Sequence, residues 1–203
     1  MRSYQVFAGL APDHAQVLLK GLAEKSPAMF AQSLAAASAA MKARPVYLQR
    51  QPFDKRAEAV RRALSRVATN PIADEVLAVY FLECRKELLI EWLDLAGVEH
   101  KDGTLAVDTP APPADKKLRE AVERFRSAAE DRDRELLLRA FAAQDAVEWP
   151  VLDALLANPD APSATSAPAK PAAVQPAPAK PAATKPAAAK KPAKSSGRAR
   201  KPR

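Results

Sequence analysis

The stretch NPIADEVLAVYFLECRKELLIEWLDLAG, residues 70–97, decides the fold class. Asn70 offers a side-chain oxygen to cap a helix, and Pro71 suits its first turn because proline has no amide hydrogen to leave unpaired. From there Leu77, Phe81, Cys84, Leu88, Trp92 and Leu95 recur at three- and four-residue intervals, and Val76, Tyr80, Leu89, Leu93 and Ala96 widen the stripe. A stripe of that breadth predicts one long helix, central and buried on most sides. Gly97 stands where a left-handed cap ends it, with Val98 folding back on the last turn.

The flanking sequence obeys the same period. Pro12 and Pro27 open two short helices, the first with Val17, Leu18 and Leu22 on one side, the second ending near Arg44 and Pro45. After the connection PVYLQRQP, residues 53–67 read as a basic amphipathic helix, with Val60, Leu64 and Val67 inward and Lys55, Arg56, Arg61, Arg62 and Arg66 mostly outward. Beyond Gly97, VEHKDGTLAV alternates apolar and polar residues around Asp102-Gly103, which predicts a small hairpin or extended excursion near 98–107. A helix follows from Asp115 with Leu118, Val122 and Phe125 on one face. Residues 130–135 read as a turn or bend, and ELLLRAFAAQ and WPVLDALLA supply two more helical pieces. Residues 1–160 are therefore expected to form an all-α, irregular multi-helix bundle, large enough to bury a core without cross-links.

Residues 161–203 differ in kind. They hold nine prolines, fifteen alanines, ten lysines and arginines and no Asp or Glu, so this segment carries +10. Residues 1–160 hold 22 basic and 24 acidic residues, and the high isoelectric point near 9.7 belongs to the C-terminal segment. With Val174 as its one large apolar side chain, the segment cannot bury enough surface to offset the entropy of ordering, which predicts disorder with extended polyproline stretches. The unit APAKPAA occurs at 167–173 and again at 177–183, and the last 14 residues, KKPAKSSGRARKPR, reach one charge in two. Their cations, Lys190, Lys191, Lys194, Arg198, Arg200, Lys201 and Arg203, are the candidate nucleic-acid contacts.

The run AKPAATKPAAAKKPAK resembles the Lys/Ala/Pro-rich tails of linker histones and of bacterial histone-like proteins. The resemblance covers about a fifth of the chain and implies attachment to DNA or RNA through phosphate charge. The terminal SSGRARKPR is similar to an AT-hook but lacks the Arg-Gly-Arg order, so it implies no base preference.

Within 1–160 four patterns bear on chemistry. Glu83, Glu87, Glu91 and Asp94 follow at spacings of four, four and three, which puts them on one face of a continuous helix. The arrangement suits a cation site or an acid–base pair, or a solvated face paired with Lys86 and the arginines of residues 55–66; neither His14 nor His100 has the Glu-x-x-His spacing of a bundle metal site. His100 and Asp102 share a turn with Gly103, yet no nucleophile, base and orienting group assemble around them. Cys84, the single cysteine, falls on the apolar stripe and reads as an inert core thiol, and Trp92 and Trp149 read as packing. The chain holds no Gly-rich phosphate loop, Gly-x-Ser-x-Gly elbow or zincin His pair.

The expectation is thus a non-enzymatic, cytoplasmic protein with no cofactor, no metal and no membrane segment, its helical domain carrying a cationic tail that holds the phosphate backbone of DNA or RNA without sequence preference. The alternative is a helical protein-interaction domain whose tail is a solubilising spacer.

Overall fold

Proline sets the start of most helices in this chain. The computed structural model describes residues 1–157. The disorder expected of residues 161–203, and the seven terminal cations, lie outside the described residues. Helix α1 (Ser3–Gly9) comes first and was not anticipated; the Gln5 side chain accepts from the Arg2 amide at 2.9 Å to start it. Pro12, Pro27 and Pro45 then open α2 (Pro12–Lys25), α3 (Pro27–Ala40) and α4 (Pro45–Gln49), each at a position whose missing amide hydrogen has no intrahelical partner to lose.

Four details of the early helices depart from expectation. On α2, Ala15, Leu18, Leu19 and Leu22 are buried and Val17 is exposed, because the face turned to the core is centred one residue later than the apolar count implied. Helix α3 ends at Ala40, not near Arg44, since Lys42 adopts φ of 53° and the Ala43 amide bonds back to the Ser38 carbonyl at 3.0 Å. The connection PVYLQRQP contains α4, whose Leu48 is buried. Helix α5 (Phe53–Leu64) stops before Val67; a 3₁₀ turn over Val67–Thr69 leaves Val67 exposed.

The decisive stretch is two helices rather than one. Helix α6 (Asn70–Val79) is preceded by Thr69 at the cap, so Asn70 lies inside the helix. The Asn70 side chain is used elsewhere: it accepts from the Tyr4 amide at 3.1 Å and donates to Asp74 at 3.1 Å, tying α1 to α6. At Tyr80–Cys84 the chain widens into a π turn closed by the Arg85 amide on the Tyr80 carbonyl at 3.1 Å, and Arg85 leaves helical geometry (φ −132°, ψ 38°) before α7 (Lys86–Ala96). The wider turn shifts the register of everything after it. The stripe nevertheless stays mostly buried, with Trp92, Leu93 and Ala96 fully inside and Cys84 and Leu95 half-buried at its edge. Gly97 at φ of 72° caps α7, with the Val98 amide on the Leu93 carbonyl at 2.9 Å.

The hairpin near 98–107 is present: β1 (His100–Lys101) pairs antiparallel with β2 (Thr104–Leu105) through a turn in which Asp102 and Gly103 both have positive φ. Helices α8 (Asp115–Ser127), α9 (Arg132–Ala143) and α10 (Pro150–Ala157) follow. The charged run at 130–135 does more than turn the chain. Asp131 caps α9 by accepting from the Asp133 amide at 2.9 Å, and Asp133 and Arg134 go inward.

The architecture is an all-α irregular bundle with one small hairpin. Helices α2, α3 and α5 pack on one another; α7, α8, α9 and α10 form a second group; and α1 and α6 lie between them, each touching α5 and α9. Trp92, fully buried, meets Phe125 and Phe141, and Phe141 meets Trp149 in turn, so both tryptophans serve packing.

Candidate functional site

The basic helix α5 and the short α4 enclose the feature of most functional interest. Met41, Tyr47, Leu48, Gln51, Lys55, Ala59, Arg62 and Arg66 are among the residues around a groove of about 420 Å³ between α4, α5 and the end of α3. Its floor is apolar and small, with Leu48, Ala59 and Ala63 buried. Its rim is cationic: Lys55, Arg62 and Arg66 are exposed, Lys55 and Arg62 share one face of α5 at a spacing of seven residues, and Arg66 stands in extended backbone just past the helix end. Tyr47 stands at the rim 57% exposed, beside Val46 at 54%.

Acidic charge at this groove is confined to Glu58. The Arg61 guanidinium grips it with two bonds, at 2.9 and 3.0 Å, and Arg62 adds a third at 2.6 Å. The Arg61 hydrogen bond, then that of Arg62, hold the Glu58 carboxyl at a pKa of about 2 against the opposing effect of burial. Arg66 donates to the Ala40 carbonyl at 3.1 Å. Among the described residues no carboxylate lies within 4 Å of Lys42, Arg44, Arg50, Lys55 or Arg66. Arg56 instead lies over the rings of Phe30 and Phe53, at 5.8 and 5.5 Å from their centroids.

The near-neutral sum of the domain conceals this asymmetry. Residues 1–66 hold 11 basic and 4 acidic side chains, whereas residues 67–160 hold 11 basic and 20 acidic ones. Sequence reading had the counts in hand but added them over the whole domain, which cancelled the signal.

The carboxylates expected to share one face do not act together. The π turn and the break at Arg85 separate Glu83 from the other three. Glu91 makes a bidentate pair with Arg134, both bonds 2.8 Å, and Asp94 faces His100 at 3.2 Å. Lys86 pairs with Asp102 at 3.5 Å, while Arg61 and Arg62 pair with Glu58, so the expected pairing of this face with residues 55–66 is corrected. Among the described residues no three His, Cys, Asp or Glu side chains converge as a metal site.

His100 and Asp102 diverge within their turn. The ring of His100 accepts from the Gly103 amide at Nδ1, 3.3 Å, which leaves Nε2 to donate to Asp94. Asp102 points to Lys86, largely in solvent. Cys84 is half-buried, and burial first, then the neighbouring Glu83 charge, push its thiol pKa up, away from the thiolate that would react.

Sequence reading missed the polar cluster around Asp133. This carboxylate, 6% exposed, receives the Tyr80 hydroxyl at 2.8 Å, meets His14 Nε2 at 2.7 Å and lies 2.9 Å from Arg85 Nε. Arg85 also pairs with Asp131. Burial, then the Asp133 charge, raise the Tyr80 pKa, so its hydroxyl keeps its proton and donates. The Asp131 cap was the available signal, because a cap there places residue 133 on the first turn and turns it back toward α2.

A second concavity of about 280 Å³ lies beneath the hairpin, with Leu77, Phe81, Leu89, Leu93 and Phe141 in its wall and Leu82 and Val107 exposed at its mouth. Thr104, Asp108 and Gln144 are its polar fringe. Among the described residues no helix is long and apolar enough to cross a membrane. No family profile, characterised protein sequence or solved structure matches the chain.

Proposed function

We propose that this chain is a non-enzymatic, cytoplasmic nucleic-acid attachment protein. Its cationic C-terminal segment holds the phosphate backbone of DNA or RNA, and the helical domain is what it brings there. The observation that carries the reading is the segregation of charge in residues 161–203, ten cations without one carboxylate. Such a segment displaces condensed counterions from phosphate and needs no fold to do so. Lys190, Lys191, Lys194, Arg198, Arg200, Lys201 and Arg203 supply the densest contacts.

Fluorescence anisotropy of a labelled random duplex and of an RNA tests it, comparing the full chain with a variant carrying Gln at those seven positions. The expected dissociation constant is of order 10⁻⁴ to 10⁻⁶ M near physiological salt, rising steeply with added salt. The seven-Gln variant should lose most of both the affinity and the salt slope. Equal binding by the two proteins would reject the assignment.

The apolar concavity under the hairpin favours a second reading, a helical protein-interaction domain with the tail as spacer. Leu82 and Val107 at its mouth would then receive an apolar side chain of a protein partner. Binding of that kind persists as salt is raised, which separates the two readings.

A further inference from the structure

We propose that the groove between α4 and α5 is a binding surface for single-stranded nucleic acid. The inference rests on the nucleic-acid reading above but concerns a different part of the chain: the folded domain itself takes hold of the strand, beside the tail.

Three observations converge on it. The first is uncompensated charge. Of the cations that line the groove, Lys55 and Arg66 face no carboxylate among the described residues, and the one acidic rim residue, Glu58, is held by Arg61 and by Nε of Arg62, whose side chain stays 73% exposed. The second is geometry. Lys55 and Arg62 succeed one another along α5 at about 10 Å of axial rise, Arg66 follows just past the end of the helix, and all three border a floor of Ala59 and Ala63 that keeps the approach open. A sugar–phosphate chain can run along such a border.

The third observation chooses the kind of strand. Tyr47 is 57% exposed at the rim, held out by a helix that anchors itself on buried Leu48. A duplex offers this face only phosphates, leaving the ring of Tyr47 and its neighbour Val46 in water. A single strand offers unstacked bases as well, and a base stacked on a tyrosine beside a row of cations is the recurrent means of holding single strands without regard to sequence. The phosphates follow Lys55, Arg62 and Arg66 while one base covers Tyr47.

The test uses the full chain with a labelled 20-nucleotide oligo(dT) and a labelled 20-base-pair duplex, by anisotropy across a salt series. The variants are Tyr47→Ala, Tyr47→Phe, the triple variant Lys55→Gln/Arg62→Gln/Arg66→Gln, and the seven-Gln tail variant. Tyr47→Ala should weaken oligo(dT) binding about tenfold and leave the duplex unchanged, and Tyr47→Phe should restore it. The triple variant should lower the oligo(dT) salt slope by about 2, for three phosphates released. The altered groove side chains are exposed, and an unchanged circular dichroism melt confirms that the domain is intact. The tail variant should keep a residual oligo(dT) affinity that Tyr47→Ala abolishes.

If the groove variants bind oligo(dT) as the parent does while the tail variant loses binding, the groove inference is overturned and the proposed function stands. An equal loss on duplex and single strand from Tyr47→Ala overturns the choice of strand. Displacement of oligo(dT) from the groove by polyglutamate at equal charge assigns the surface to an acidic polypeptide and overturns the proposal. If the parent chain binds neither probe, both readings fall together.

Discussion

Nε2 of His14 on α2 lies 2.7 Å from Oδ1 of Asp133 on α9, across 119 residues of chain, and the other carboxylate oxygen takes the Tyr80 hydroxyl. One buried carboxylate thus joins the first helical group, the π turn and the C-terminal helices. A charge in that position is stable only while its partners stay in place.

Removing it should be costly. Asp133→Ala strands the Tyr80 hydroxyl and His14 in a buried site, while Arg85 keeps Asp131, and we expect a loss of about 3 kcal/mol in urea unfolding of the full chain. Asp133→Asn keeps an acceptor for Tyr80 and should lose less. A change under about 1 kcal/mol for the alanine variant would show that the cluster is not a structural tie.

Glu58 gives a pH signature. Its carboxyl pKa is lowered from 4.5 to about 2 in the folded chain, so the unfolded chain binds the proton more readily. The stabilisation is therefore complete above pH 4.5 and disappears as pH falls toward 2. With the pair partly in solvent, its size should be about 0.5–1 kcal/mol. Glu58→Gln should flatten the stability profile within that window and shift nothing at neutral pH beyond the same amount.

Cys84 should be slow to react. With its thiol half-buried and its pKa raised by burial and by Glu83, alkylation by iodoacetamide at neutral pH should run well below the rate of the urea-unfolded chain. Equal rates in the folded and unfolded chains would contradict the half-buried placement of the thiol in the π turn.

Two left-handed positions should respond in opposite directions. Lys42 ends α3 at φ of 53°, a conformation that strains a lysine, and Lys42→Gly should raise stability by up to about 1 kcal/mol. Gly103 sits at φ of 86°, and an added Cβ would come within 3.2 Å of Leu89, so Gly103→Ala should cost about 1–2 kcal/mol. Thermal melts of the two variants should move up and down respectively.

The sequence by itself determined the class of fold, the proline starts at Pro12 and Pro27, the Gly97 cap, the Asp102-Gly103 hairpin and the burial of both tryptophans. These are local effects, fixed by period, by missing amide hydrogens and by residues that tolerate positive φ. It also determined the charge of residues 161–203, which is a matter of counting. The tertiary structure alone decided where the helix of residues 70–97 divides, because the π turn at Tyr80 is held by Asp133 and Arg85, partners that local propensity does not see. It decided the fate of the four carboxylates too, since the π turn and the break at Arg85 set Glu83 apart and tertiary neighbours give Glu91 to Arg134 and Asp94 to His100. The α4–α5 groove is of the same kind. Its cations were visible in the sequence, but that they line a concave face with Tyr47 at the edge follows from how α4 and α5 both pack on α3, and an electrostatic surface is made by proximity rather than by composition.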